Sequence, residues 1–278
     1  MPVSLLFEQV DVFSEQSFKG NAVAVVIGAD DLTSQQMHDF AAWTQLSETT
    51  FLLKPNSPEA HYRVRIFTPL RELPFAGHPT LGSCHVWLNQ SGGNVDKEII
   101  QECLAGLIRI RRNGAFLSFA APPLVRSGAV GGDVLRQIES GLGLSCDQIL
   151  ASQWVDNGPG WVAVMMASRD DVLAIRPDYL KLNGLNVGVV APWQGPHADA
   201  DVEVRAFMGE ELNEDPVTGS LNASLAQWLI STGVMPDHYT ASQGTALGRQ
   251  GRIKIEKIGS DIWVGGEVQL GMSGRVMF

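Results

Sequence analysis

The chain has three cysteines in 278 residues and only three tyrosines. Cys84, Cys103 and Cys146 show no metal-ligand spacing, and their odd number suits a reducing compartment better than a disulfide framework. Charge is sparse too, at 18% of residues, and the basic side is the poorer: 20 Lys and Arg against 30 Asp and Glu leave a formal charge of −10. That balance argues against nucleic acid or an anionic membrane as a partner, although the local field at a small-molecule site can oppose the net charge. No apolar run approaches the ~20 residues needed to span a bilayer. The opening stretch MPVSLLFEQVDVF has neither the basic start nor the long apolar core of a secretion signal. The expectation is a cytoplasmic protein with no nucleic-acid and no membrane partner.

Familiar chemical signatures are missing as well. No glycine-rich phosphate loop follows a strand. Ser47 and Ser220 have no adjacent His and acid in sequence, so a serine-hydrolase reading has no support. His78 and His85 share a helix face but make too small a set for a metal, and no metal site is expected.

What is present is a repeat. Val64–Ser83 reads VRIFTPLRELPFAGHPTLGS, and Val204–Ala223, starting 140 residues later, reads VRAFMGEELNEDPVTGSLNA. Each passes from a Val-Arg-x-Phe strand through a polar loop and a Gly/Thr/Pro turn into an apolar helical run. Without gaps the same offset gives ten identities over residues 20–93, where composition gives roughly five. The order of these matches along the chain is the better argument, and a period this long means domain duplication, not a solenoid. Two similar domains facing each other across a cleft are expected, with the two turns as its walls.

Periodicity places strands at Leu5–Phe13, Asn21–Ile27, Thr49–Lys54 and His61–Thr68, and short ones near Ile99, Leu107–Arg111 and Phe116–Phe119. Thr33–Trp43 reads as a helix that Thr33 can cap. Pro79–Asn89 and Ser220–Ile230 are helices apolar on most sides, which implies burial all round. Ala121-Pro-Pro and Ser127–Asp133 form the clearest boundary, followed by a helix at Val134–Leu142. Further strands fall at Trp161–Ala167, Leu185–Val190, Val202–Phe207, Arg252–Ile255, Ile262–Val264 and Gly266–Leu270. The domains are therefore read as 1–122 and 123–264, with a final strand near 265–278 crossing back to the first.

Three segments can carry chemistry. Glu48, in Gln45–Phe51, sits where polar residues give way to an apolar strand. Leaving water disfavours a carboxylate's charged form and suits it to proton transfer, though the position also fits a solvated acid. Its counterpart in the repeat is Gly188, so whatever Glu48 does is done once per chain. The turn Ala76–Thr80 offers Gly77 for unusual backbone angles, Pro79 for a first helical turn, Thr80, and free N–H groups that attract an anion. His78 there either holds such an anion, passes a proton or simply packs. In Glu214–Ser220, Asp215 before Pro216 is an N-cap pattern, and Thr218, Gly219 and Ser220 supply hydroxyl and N–H donors. Gly20-Asn21 and Asn157–Gly160 read as turns, with Asn21 a further substrate-contact candidate.

At Phe18–Asn21, Leu46–Phe51, Arg65–Pro69, Glu72–Thr80 and Glu214–Ser220 the chain resembles the PhzF-like family, named for the phenazine-biosynthesis isomerase, over nearly its whole length. The resemblance implies the α+β fold of diaminopimelate epimerase: two pseudo-symmetric domains, each an antiparallel sheet or barrel wrapped around a central helix. It implies no metal, no organic cofactor and a homodimer. It gives Glu48 the role of moving a proton between carbons of a dihydro-hydroxyanthranilate. His78, Asp215 and Ser220 then surround the substrate, the Gly77 and Gly219 turns bind its anionic group, and Asn21, Ser47, Thr80 and Thr218 line the site. Racemases of the wider superfamily use two cysteines near positions matching Ala76 and Pro216; neither is Cys here. Departures from the family pattern stand at Ala22, Gly209 and Leu221 and bear on which substrate is taken. The function expected is a cofactor-independent isomerase of a small carboxylate-bearing metabolite. The alternatives are a single-carboxylate epimerase or racemase, or a non-catalytic metabolite-binding protein.

Overall fold

The computed structural model describes residues 3–92 and 98–278; Gly93, one of the repeat identities, lies outside them. Contacts divide the chain into two units, Met1–Ala120 with Gly265–Phe278, and Ala121–Val264. The first contains β1 (Ser4–Val12), β2 (Asn21–Ile27), α1 (Ser34–Thr44), β3 (Glu48–Leu53), β4 (Tyr62–Phe67), β5 (Glu72–Leu73), α2 (Gly77–Gln90), β6 (Glu98–Cys103), β7 (Gly106–Asn113) and β8 (Phe116–Ala120). The second contains β9 (Arg126–Gly128), α3 (Gly132–Leu142), β10 (Ala151–Asp156), β11 (Val162–Met165), α4 (Arg169–Ala174), α5 (Tyr179–Leu182), β12 (Val187–Pro192), β13 (Val202–Met208), β14 (Asn213–Asp215), α6 (Gly219–Ser231), β15 (His238–Gln243) and β16 (Gly251–Ile258). A single long strand, β17 (Asp261–Met277), begins in the second unit and continues in the first. The sequence suggests two short strands here; the ladder with β1 runs on through a bulge at Gln9/Val10 and joins them.

In the first unit the pairings β1–β2–β3–β4–β6–β7–β8–β17–β1 close on themselves. Closure leaves that ring of strands without an open edge. Helix α2 packs against β1, β2, β3, β4 and β8, and ten of its residues, from Gly77 to Leu88, are buried. Its weak amphipathicity in sequence follows from that position, since every face meets a strand. Gly82 is part of the fit: a Cβ there would lie 2.4 Å from Val23 Cγ1. A satellite core of Val26, Met37, Ala41, Phe51 and Phe67 joins α1 to the outside of the same sheet. Thr33 caps α1 in a reciprocal box with Gln36.

The second unit repeats this plan. Strands β9 to β13, then β15 and β16, pair in succession, and nine residues of α6 between Gly219 and Leu229 are buried. Most pairs in both units are antiparallel, but β2–β3, β4–β6, β11–β12 and β13–β15 are parallel. Each parallel pair is separated by a helical crossover long enough to bring the chain back in the same direction.

The duplication reaches individual side chains. Arg65 grips Glu72 with two hydrogen bonds of 2.7 and 2.6 Å and lies over the Phe67 ring. Arg205 grips Glu214 at 3.0 and 2.7 Å and lies over Phe207. Gln101 donates to Thr80 Oγ1 in the first turn of α2, and Gln243 accepts from Asn222 Nδ2 in the first turn of α6. Neither glutamine stands out in the sequence.

Candidate active site

Glu48 opens β3, where the parallel ladder sets it beside Val23 of β2. The Thr44–Thr49 hydroxyl contact ties the end of α1 to this strand. From there Thr49–Leu53 are buried, so Glu48 stands at the rim of an apolar wall. Its counterpart Gly188 pairs with Ala163 in the matching ladder of the second unit. No acid fits there: a Cβ on Gly188 would lie 2.4 Å from Leu221 Cδ1, in space that α6 fills.

His78 is the second residue of α2. Its Nε2 lies 3.2 Å from Glu48 Oε2, and the two side chains are 4% and 16% exposed, so the contact is largely screened from water. Its Nδ1 lies 3.3 Å from Asn21 Nδ2 at the start of β2. Burial pushes the imidazole down to about 3, against the pull of the Ala22 carbonyl, which favours the charged form. At neutral pH the ring is uncharged and carries one proton. A neutral ring can turn either an N–H or a lone pair on Nε2 toward Glu48 Oε2, according to its tautomer.

Asn21 is aimed by a turn that Asp11 builds. The buried Asp11 Oδ2 accepts from the backbone N–H of Lys19 at 2.8 Å and of Gly20 at 2.9 Å. Gly20 is required, since a Cβ would lie 2.1 Å from the Val12 carbonyl oxygen. Ser47 is exposed just before β3, and Thr80 is fully buried with its hydroxyl on Gln101.

In the second unit Ser220 is the second residue of α6, after Gly219, just as His78 follows Gly77 in α2. Structurally, then, His78 matches Ser220 at 142 residues' separation, two more than the sequence repeat suggests. Ala76 likewise matches Thr218 and not Pro216; neither helix cap is a cysteine. Asp215 does not cap α6, contrary to the sequence pattern. It ends β14, a strand paired to β13, and the helix cap falls at Thr218. Asp215 Oδ2 instead accepts from the Thr218 hydroxyl at 2.6 Å. Gln243 completes the clamp, accepting from Thr218 N and donating to Thr218 Oγ1 and the Asp215 carbonyl. Ser220 itself accepts the Trp161 indole N–H at 3.1 Å, and its carbonyl accepts from Asn157 Nδ2 at 2.9 Å. Gly209 keeps an N–H bonded to Asn186 Oδ1, which a proline there would lack.

A family model described as phenazine biosynthesis-like protein (PhzC-PhzF) matches residues 10–269. The chain belongs to this family. It is 36% identical to antisense-enhancing sequence 1 of Schizosaccharomyces pombe, covering 97% of both chains. It is 33% identical to trans-2,3-dihydro-3-hydroxyanthranilate isomerase of Pseudomonas chlororaphis, covering 86% of both. The crystal structure of a PhzF-family phenazine biosynthesis protein of Enterococcus faecalis superposes with a TM-score of 0.82 at 25% identity, over 99% of both chains. The fold is α+β of the epimerase-like kind, and this PhzF-family chain is an enzyme of the isomerase class. Among the described residues no helix is long and apolar enough to cross a membrane.

Proposed function

We propose that this isomerase moves a proton between carbons of a small carboxylate-bearing metabolite, with Glu48 as the acid–base group and without metal or organic cofactor. The observation that carries the reading is the contact of Glu48 with a buried, neutral His78. A charged partner would pin the carboxylate in its ionised form. A neutral imidazole exchanges a hydrogen bond with either form, so Glu48 can accept a proton and return it. Glu48 would take the proton from a carbon whose electron pair is delocalised into a conjugated group, and deliver it to another carbon of the same system. His78, held by Asn21, would keep Glu48 oriented through both steps.

Asp215, Thr218, Gly219 and Ser220 would present the start of α6 to the substrate carboxylate, where backbone N–H groups and a hydroxyl favour an anion. Gly77 would serve in the same way at α2. The name borne by the Pseudomonas chlororaphis relative makes a cyclic amino-carboxylate the first substrate class to try. A thermal-shift screen of cyclic and aromatic carboxylates finds ligands, since a compound at 100 times its Kd stabilises by about 2.7 kcal/mol. Compounds turned over in deuterium oxide then reveal the carbon that gains the label. Glu48→Gln should lower turnover ~10²–10⁴-fold while ligand binding and Tm stay near wild type; unchanged turnover would remove Glu48 from the mechanism.

A further inference from the structure

The first residue after each glycine turn plays the same part in both units. Asn21 follows Gly20 and reaches His78, the second residue of α2. Trp161 follows Gly160 and donates its indole N–H to Ser220, the second residue of α6. The turns are built alike: Gly20 N–H donates to Asp11, and Gly160 N–H donates to Asp156 at 2.7 Å. Trp161 is 1% exposed, so its ring is fixed by packing and its N–H has one partner, Ser220 Oγ.

We infer that Trp161 is a positioning residue that makes Ser220 a one-way donor toward the ligand. An indole N–H only donates, so Ser220 Oγ must accept from it. That turns the hydroxyl hydrogen away from the indole. Among the described residues, Ser220's other recorded bond is its carbonyl's, from Asn157, and its O–H meets no protein acceptor. The group that completes Ser220 is therefore an acceptor, and a carboxylate oxygen fits best because a hydrogen bond to a charged acceptor is the stronger kind. Asn157 fixes the backbone of the same residue, and Asn186 Nδ2 holds the Pro159 carbonyl of the turn at 2.8 Å. The inference rests on the reading that the start of α6 binds the substrate carboxylate.

Isothermal titration of benzoate, anthranilate and 3-hydroxyanthranilate into the wild type, Trp161→Phe, Ser220→Ala and the double variant tests it. Trp161→Phe keeps an aromatic ring and loses the N–H. It should weaken binding about fivefold to tenfold, the scale of one hydrogen bond. In the Ser220→Ala background the same change should cost under about twofold, because the hydroxyl through which Trp161 acts is gone. Equal losses in both backgrounds, or no loss in the first, overturn the inference and leave the carboxylate reading standing. Failure of all three compounds to bind the wild type at millimolar concentration overturns both. Should Trp161→Phe not fold, the indole N–H resonance of Trp161 decides: it should shift and exchange faster with solvent in Ser220→Ala, and an unchanged resonance rejects the coupling.

Discussion

His78 Nε2 lies 3.2 Å from Glu48 Oε2, and the other nitrogen of the same ring lies 3.3 Å from the Asn21 amide. The Asn21 amide nitrogen, 3.3 Å from Nδ1, is a donor and so favours a ring protonated on Nε2, while the Ala22 backbone favours the charged ring. The two neighbours come from consecutive residues of β2, so this strand tunes the pair. Asn21→Asp replaces a donor with an acceptor and should raise the His78 pKa from about 3, by stabilising the doubly protonated ring. A histidine titration followed by NMR reads the change. A curve like the wild type's would show that Asn21 has no hold on the ring.

The same histidine makes stability depend on pH. Its folded value is about 3 against 6.5 unperturbed. As pH falls through 6.5 the unfolded chain takes up a proton on this residue, while the folded chain does so only near 3. Stability is therefore lost across that interval, by up to ~1.4 kcal/mol per pH unit from this group. Urea unfolding at pH 7 and pH 4 should show a smaller drop for His78→Gln than for the wild type. Equal drops would mean that the ring is charged in the folded protein.

The two Arg–Glu clamps have the same geometry but not the same surroundings. Arg205 and Glu214 side chains are 4% and 6% exposed, whereas Arg65 and Glu72 are each 22% exposed. Arg205 also donates to the carbonyls of Val172 and Ile175 at the end of α4. Glu214→Ala leaves a guanidinium buried without its carboxylate and should cost about 3–5 kcal/mol. Glu72→Ala should cost about 1 kcal/mol, because water reaches the guanidinium left behind. Only the second loss should shrink in 0.5 M salt, and denaturant unfolding of both variants checks the order.

Much of this was legible in the sequence because it rests on local rules. The Thr33 cap, the Asn21–Ile27 strand and the two all-round apolar helices follow from residue types and spacing. The Val-Arg-x-Phe repeat marked β4 and β13, though not the Arg–Glu clamps they carry. What stayed hidden depends on contacts between distant segments. Gln101 and Gln243 look like surface polar residues, yet both are buried strand residues bonded to the first turn of a helix. Asp215 has the composition of a cap, but pairing to β13 takes its backbone into a strand. Trp161 reads as core and is core; only its N–H, which a sequence does not aim, links it to Ser220. The gap-free offset also slips by two residues before α6, so Ser220 aligns with Thr80 in sequence and with His78 in structure.

Gly188 and Leu221 are a matched pair, and each explains the other. In the parallel ladder Gly188 occupies the position of Glu48, and the Leu221 side chain of α6 fills the volume that any side chain at 188 would need. Leu221 is thus tolerated because residue 188 is glycine. Gly188 lacks a positive φ, so alanine is admissible for the backbone and only the clash matters. Leu221 is fully buried and cannot swing clear. Gly188→Ala should therefore destabilise by about 1–3 kcal/mol, the usual cost of overpacking. Leu221→Ala alone should cost about 2–5 kcal/mol through the cavity it leaves. Combined, the changes should cost less than their sum by at least about 0.5 kcal/mol, since the new methyl enters the space the leucine vacates. Thermal or urea unfolding of the four proteins measures the coupling, and strict additivity would show that the two residues do not compete for one volume.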